Sequence, residues 1–253
     1  MQNGGFGWQN AGLSAALTAS AQTDALPVES LRNPSGAASL GWRSPRSAVS
    51  LTLTWPQAVP LRAFSLHRTN LSPAASLAVS ASSGGAAVWQ GQAQGCVNGQ
   101  ILCIAPDAVQ ADTVTLEVSD AANTDGWLSI PLAYVGPLWQ PVRNYSTQST
   151  AGHALGSDSV TALGGTVFTE SRWYQRTLKI VHQSLGDAEA PQIERMLRTA
   201  AAGQNILFVP VPDAPAVQIN EKSVYGKLTG DDLTNPFGVA DRHSTNLTLT
   251  ESL

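Results

Sequence analysis

Ala48-Val49-Ser50-Leu51-Thr52-Leu53-Thr54-Trp55 decides the fold class. Val49, Leu51, Leu53 and Trp55 alternate with Ser50, Thr52 and Thr54, which is the period of a strand with one face in a core and the other in water. The alternation returns at Leu77 and Val79, at Val114, Leu116 and Val118, and at Leu128, Ile130 and Leu132. Turn-forming residues separate the runs: Thr54-Trp55-Pro56, Ser82-Ser83-Gly84-Gly85, Asn98-Gly99 and Asn123-Thr124-Asp125-Gly126. Short strands punctuated in this way predict a β-sandwich or jelly roll over residues 46–136.

Working outward, Gly136-Pro137 and Pro141 mark a change. Residues 143–165 are polar and Gly-rich with few apolar positions, so 137–165 reads as a linker or extended arm; unstructured connections of more than about 15 residues are uncommon unless functional or covered by a partner. The β pattern resumes at Val167–Leu185, where Tyr174, Arg176, Leu178 and Ile180 oppose Trp173, Thr177, Lys179 and Val181. Asp187 is placed to cap a helix over about 188–202, with Ile193, Met196, Leu197 and Ala200 on one face and Gly203 just past its end. Ile206–Val209, stopped by Pro210 and Pro212, then Val224–Leu228 and Asn246–Thr250 read as strands. The expected architecture is mainly β: an N-terminal segment or arm (1–45), the sandwich (46–136), the linker (137–165), and a β-rich module with one packed α-helix (166–253).

The chain has 253 residues, enough for one large domain or two modest ones. Only 13 % of residues are charged and the net charge is −4, which argues against nucleic-acid binding through a general positive field. No apolar run approaches the roughly 20 residues of a membrane helix. Met1–Asn10 has neither a basic nor an apolar signal-peptide region, so a classical signal peptide is not expected. Residues 1–23 and Thr69–Pro106 carry no Asp, Glu, Lys or Arg. Such stretches fit either a small-residue β surface or a surface covered by other subunits, because interface cores are depleted in charge.

Cys96 and Cys103 flank Asn98-Gly99, and a two-residue turn there pairs Val97 with Gln100 and sets Cys96 opposite Ile101, not opposite Cys103. A disulfide is therefore not expected, and two Cys without clustered His make no zinc site. Asp120–Gly126 has oxygens at calcium-loop spacing but no closely following Glu, so it reads as a turn in preference to a metal loop. The seven tryptophans favour core or interface, while Trp42-Arg43 and Trp89-Gln90 are candidates to stack on sugar faces. His67, His153, His182 and His243 are scattered, without ligand spacing, and are expected at the solvent. Neither a nucleophile elbow nor a P-loop is present. Ser157-Asp158-Ser159 near His153 lacks an oriented base, and only carboxylates that meet in space leave a glycoside hydrolase open.

Three stretches together carry a resemblance: Val59–Leu71 with Ala75–Val79; Val114–Asp120 with Asn123–Gly126, Ile130 and Trp139; and Trp173–Val181 with the helix, Ile206–Phe208, Val224–Gly226 and Leu247–Glu251. The chain resembles tail-tip virion proteins of tailed bacteriophages, the distal-tail or baseplate-ring proteins. The resemblance spans most of the chain and rests on pattern, not on an invariant motif. It implies a discoidin-like, galactose-binding-type β-sandwich followed by a module that packs in a ring, in a non-enzymatic structural subunit assembled in the host cytoplasm and carried in the virion. The implied partners are copies of itself (a trimer or hexamer), other tail proteins and, as an alternative function, host surface glycan; no nucleic acid, membrane insertion, metal or cofactor is implied. Trp42, Arg43, Trp89 and Asn98 are the candidate glycan or partner contacts, and Ile193, Met196 and Leu197 mark a candidate ring-interface helix.

Overall fold

The computed structural model describes residues 2–231, 233–234 and 242–253. In chain order its strands and α-helices are β1 (Gly5–Gly7), β2 (Ala16–Ala19), β3 (Trp42–Ser44), β4 (Ala48–His67), β5 (Ser76–Ser83), β6 (Ala86–Gln94), β7 (Ile101–Ser119), β8 (Leu128–Ile130), β9 (Leu132–Gly136), β10 (Thr150–Thr161), β11 (Val167–Leu185), α1 (Ala190–Ala201), β12 (Ile206–Val209), α2 (Ala216–Lys222), β13 (Val224–Gly230) and β14 (His243–Glu251). The fold is mainly β, as expected. One sheet runs β2-β4-β7-β5-β6 with β9 added beside β4, the pair β3-β8 stands apart from it, and a second sheet runs β1-β12-β13-β14-β11-β10.

The alternation of Ala48–Trp55 builds the sandwich core. Val49, Leu51, Leu53 and Trp55 are buried with Leu77, Val79, Val114, Leu116 and Val118. Trp42, Leu128 and Ile130 of the β3-β8 pair join the same core, together with Val28 and Leu31. The antiparallel β4-β7 pairing breaks register between Thr54 and Val59 and again between Leu61 and Ala63. Such irregularities bend a strand and raise its twist, and β4 uses its far half to pair with β9 as well. At Asn98-Gly99 both residues hold positive φ (53° and 69°), the backbone of a type I′ turn, and Val97 faces Gln100. Cys96 and Cys103 are free and buried, as that register requires.

In the second sheet Ile180, Phe208, Val224, Leu228, Leu247 and Leu249 pack against Ile193 and Met196 of α1. β12 is buried on both faces: Ile206 and Phe208 join that core, while Leu207 and Val209 pack with Leu102, Leu132, Tyr134, Ile219 and Tyr225. A strand with no polar face is what Ile206-Leu-Phe-Val209 describes, and it welds the two halves of the chain together. Helix α1 begins at Ala190, not 188. Glu189 precedes it, and its carboxylate accepts from Gly186 N and Val142 N; Asp187 instead meets His243.

Three expectations are corrected here. Residues 1–45 are not an arm waiting for partners: β1 pairs with β12 and β2 with β4, so the segment completes both sheets. Within the expected linker or extended arm (137–165), residues 150–161 are not irregular but form a strand paired along its whole length with β11. Ile193 and Met196 do not offer a ring interface, because both are fully buried inside their own protomer, where they brace the sheet.

Candidate functional site

The largest departure from a closed fold is the β10-β11 hairpin. β11 pairs with β14 only from Thr177 onward. Among the described residues no further strand borders Val167–Arg176 or their β10 partners, so a two-stranded ribbon runs on for about ten residues, roughly 33 Å. Cross-strand partners share a face. Leu155 with Tyr174, and Thr161 with Val167, line one face; Val160 with Phe168, and Gly156 with Trp173, line the other. Leu155, Val160, Phe168 and the tip residue Leu163 are all well exposed. The Trp173 indole lies over Gly156, where a Cβ would come within 2.1 Å of its Nε1, so the glycine is what lets the ring lie flat on the ribbon. Asp158 and Arg172 pair on the same stretch.

The ribbon rises from a polar junction between the two halves, in which most but not all of the buried polar groups are paired. Gln100 Nε2 donates to the carbonyls of Asn220 and Ser223 (2.8 Å for the latter), which turns its Oε1 toward His67 Nδ1 at 3.0 Å. His67 is thus neutral with its proton on Nδ1, and Nε2 accepts from the Ser65 hydroxyl at 2.8 Å. Its ring stacks on Tyr225 at 4.7 Å. Burial pushes its pKa down to about 3; the Gln100 hydrogen bond opposes this and the Arg176 charge adds to it. Asn220 accepts from Leu102 N and donates to Gly95 O. Arg176 Nε donates to Glu251 Oε2 at 2.9 Å and its Nη1 to Glu221 O at 2.7 Å. His182 and His243 are buried as well, so of the four histidines only His153 has the solvent exposure expected of all of them. The packing of strands distant in sequence, not local sequence, decides this.

Two concavities flank the ribbon's base. One, of about 440 Å³, is floored by Tyr145, Leu178 and Phe208 and edged by Tyr174, Lys179 and Lys222. The other, of about 340 Å³, lies between the sandwich turns and the ribbon and is lined by Arg68, Asn98, Arg172, Trp173 and Glu251 among others. A third, open cleft on the sandwich includes Arg46, Asn123 and Trp127. Beside it the Arg43 guanidinium sits 4.1 Å over the Trp127 ring. Its rim is held by Asx hydrogen bonds: Asn70 Nδ2 donates to Asp125 Oδ2 at 2.7 Å and Asn123 Nδ2 to Asn70 O at 2.9 Å. The Asp120 carboxylate is spent on Ser72 N and Ser72 Oγ, both at 2.6 Å. The loop is therefore built as a turn, and no metal-ligand cluster occurs among the described residues.

The four sequence candidates do not converge. Trp42 is 1 % exposed, with Nε1 donating to Ala21 O, and has no ring face to offer a sugar. Trp89 is half-buried, stacked on Phe64 at 5.3 Å and 11°. Asn98 is exposed but lines the cavities at the ribbon's base, while Arg43 borders the sandwich cleft. Arg68 and Trp127 were not singled out from sequence as contacts. Trp127, adjacent to the Asx turn, carried a usable signal in that position; Arg68 carried none.

No protein-family model and no curated protein matches the chain. Among solved structures it is similar to a Streptococcus pneumoniae fucose-binding module (11 % identity, 51 % of this chain and 98 % of that one, TM-score 0.42). It is also similar to a family 32 carbohydrate-binding module of C. perfringens NanJ in complex with galactose (16 %, 49 % and 95 %, TM-score 0.39). A third is a chitosan-binding module from Paenibacillus sp. IK-5 (14 %, 51 % and 99 %, TM-score 0.41). At these scores the likeness follows part of a backbone path and carries nothing about ligands.

Proposed function

We propose that the chain is a non-enzymatic structural subunit that assembles with copies of itself into a ring, at the tail tip or baseplate of a tailed bacteriophage. The observation that carries the assembly part is the β10-β11 ribbon. A two-stranded ribbon is marginal in water on its own, and this one exposes large apolar side chains on both faces. It extends too far from the sheet for its own cores to cover it. A neighbouring copy that covers it makes a head-to-tail contact, and such contacts between identical subunits close into a ring when the rotation allows. The charge-free stretch Thr69–Pro106 includes β6, an edge strand with Val88 exposed, which adds a second uncharged surface for such a neighbour. The bacteriophage context rests on the sequence resemblance.

The test is mass by light scattering over a concentration series, with electron-microscope images of the same sample. Wild type is expected as a closed ring, or as a monomer that enters rings when tail partners are added. The double variant Val160→Lys/Phe168→Glu, which sets opposite charges across the strands, is expected to stay monomeric with an unchanged melting temperature, because both side chains are exposed in the protomer. A wild type that remains monomeric alone and with tail proteins removes the proposal.

Carbohydrate recognition by the sandwich is the second reading, favoured by one local observation: Trp127, half-exposed at an open cleft, carries Arg43 on its ring and Arg46 beside it. Aromatic faces beside planar cations are suited to stacking on sugars. Binding of the full chain to host surface polysaccharide, lost in Trp127→Ala, supports it; wild-type binding that survives Trp127→Ala moves the contact away from this cleft.

A further inference from the structure

Three arginines sit at the junction between the halves, and two are fully explained. Arg62 donates to Ala105 O, Pro106 O, Gln2 and Gln140. Arg176 is held by Glu251 and Glu221 O. Arg68 differs in two ways. Its Nη1 is buried without a hydrogen-bond partner among the described residues. Its backbone also holds φ +60°, a left-handed conformation that Arg has no side-chain means of favouring. The only other described non-glycine residue with positive φ is Asn98, which its type I′ turn explains, and both line the same cavity of about 340 Å³.

The surroundings hold this strain in place; the Glu251 charge acts on the guanidinium, but Nη1 finds no hydrogen-bond partner among the described residues. Thr69 N and Oγ1 both donate to Gly99 O, at 2.8 and 3.0 Å, which locks the chain after Arg68 onto the Asn98-Gly99 turn. The acidic groups near the cavity are engaged: Glu251 with Arg176, and Asp158 with Arg172. Across the cavity stands Trp173, partly exposed, with Arg172 next to it in sequence. An unpaired buried guanidinium donor and a strained backbone on one residue are costs that persist at sites with a task.

We propose that this cavity binds an acidic saccharide, with Arg68 taking the anionic group and Trp173 stacking on the sugar ring. An anion in the cavity gives the Arg68 guanidinium, which the protein leaves short of acceptors, the planar pairing that suits carboxylate or phosphate. The indole supplies the flat apolar surface that a pyranose face needs. The site deepens the carbohydrate reading but lies apart from the Arg43–Trp127 cleft, and it does not depend on ring assembly.

The experiment titrates the full chain with galacturonic acid, galactose 6-phosphate and galactose, read by tryptophan fluorescence and calorimetry. The expected result is binding of one or both acidic sugars about tenfold or more tighter than galactose, weakened by salt. The stronger of the two identifies carboxylate or phosphate as the group taken. Arg68→Gly is expected to abolish the preference while leaving the melting temperature unchanged or raised, because glycine accepts the positive φ. Failure of both acidic sugars to bind overturns the proposal, as does equal binding of galactose or retained preference in Arg68→Gly. A marked fall in melting temperature in that variant also overturns it, by making Arg68 a structural residue. Galactose binding lost in Trp127→Ala but untouched by Arg68→Gly overturns this site alone and leaves the carbohydrate reading standing.

Discussion

Lowering the pH is expected to loosen the junction between the two halves through one residue. His67 is neutral and enclosed when folded, with its pKa moved from the ordinary 6.5 to about 3, first by burial and then by the Arg176 charge, against the pull of Gln100. Once unfolded it binds a proton below pH 6.5, so between these values the unfolded state holds more protons than the folded one. Stability therefore falls as pH falls, is complete above pH 6.5, and stops changing through this group below about pH 3. Each pH unit inside the window removes about 1.4 kcal/mol, so moving from pH 6.5 to 4.5 costs ~2.7 kcal/mol. Protonation also sets Nε2–H against the Ser65 hydroxyl that now donates to it, which requires that hydroxyl to turn. The assay is urea unfolding of wild type and His67→Gln at several pH values from 7 to 4.5. Subtracting the two curves cancels the carboxylates and the other histidines, and the difference should slope by close to one proton. Parallel curves for wild type and variant would refute the burial of His67 in its neutral form.

Two further outcomes follow from the packing. At Gly226 a Cβ would lie 2.0 Å from Thr250 O and 2.7 Å from Ser252 N, both backbone atoms of the adjoining chain segment. Gly226→Ala must therefore push β13 from β14, and a loss of about 3 kcal/mol or failure to fold is expected in thermal melts, against a small change for an exposed Ala→Gly control. Burial pushes the Cys103 thiol up to about 11 and raises that of Cys96. Neither should react with a thiol reagent in the native protein at neutral pH, and both should react in denaturant; fast native labelling would contradict their placement.

The parts of the fold legible in the sequence are those where burial is one-sided and local. Val49–Trp55, Val114–Val118 and the α1 face announced themselves because one face of each enters a core and the other does not. Asn98-Gly99 was legible because few dipeptides accept two positive φ values. β1 was not, since Gly5-Phe6-Gly7 has no alternation to read and is held by Leu207–Val209 far along the chain. β10 was missed for the opposite reason: neither of its faces enters a core, so its apolar residues keep no period. Trp42 lies in the core that tryptophans favour and so fails only as a sugar contact, while three of the four histidines are buried because elements distant in sequence cover them. Of the candidate contacts Arg43 borders the sandwich cleft beside Trp127 and Asn98 lines the cavity that holds Trp173, while the backbone that sets Arg68 apart leaves no trace in residue type.

The pairing of β1 with β12 also orders events in time. Residues 5–7 leave the ribosome well before their partners at 207–209, which are made roughly two hundred residues later. At about 5–20 residues per second, β1 waits on the order of ten seconds or more before it can pair with β12. Through that interval Phe6 and Trp8, buried in the finished protein, have no core to enter. The sandwich strands, nearer to one another in sequence, can settle sooner. β1 thus joins its sheet long after it is made, and a nascent chain stalled before β12 would present two large aromatic side chains to any chaperone within reach.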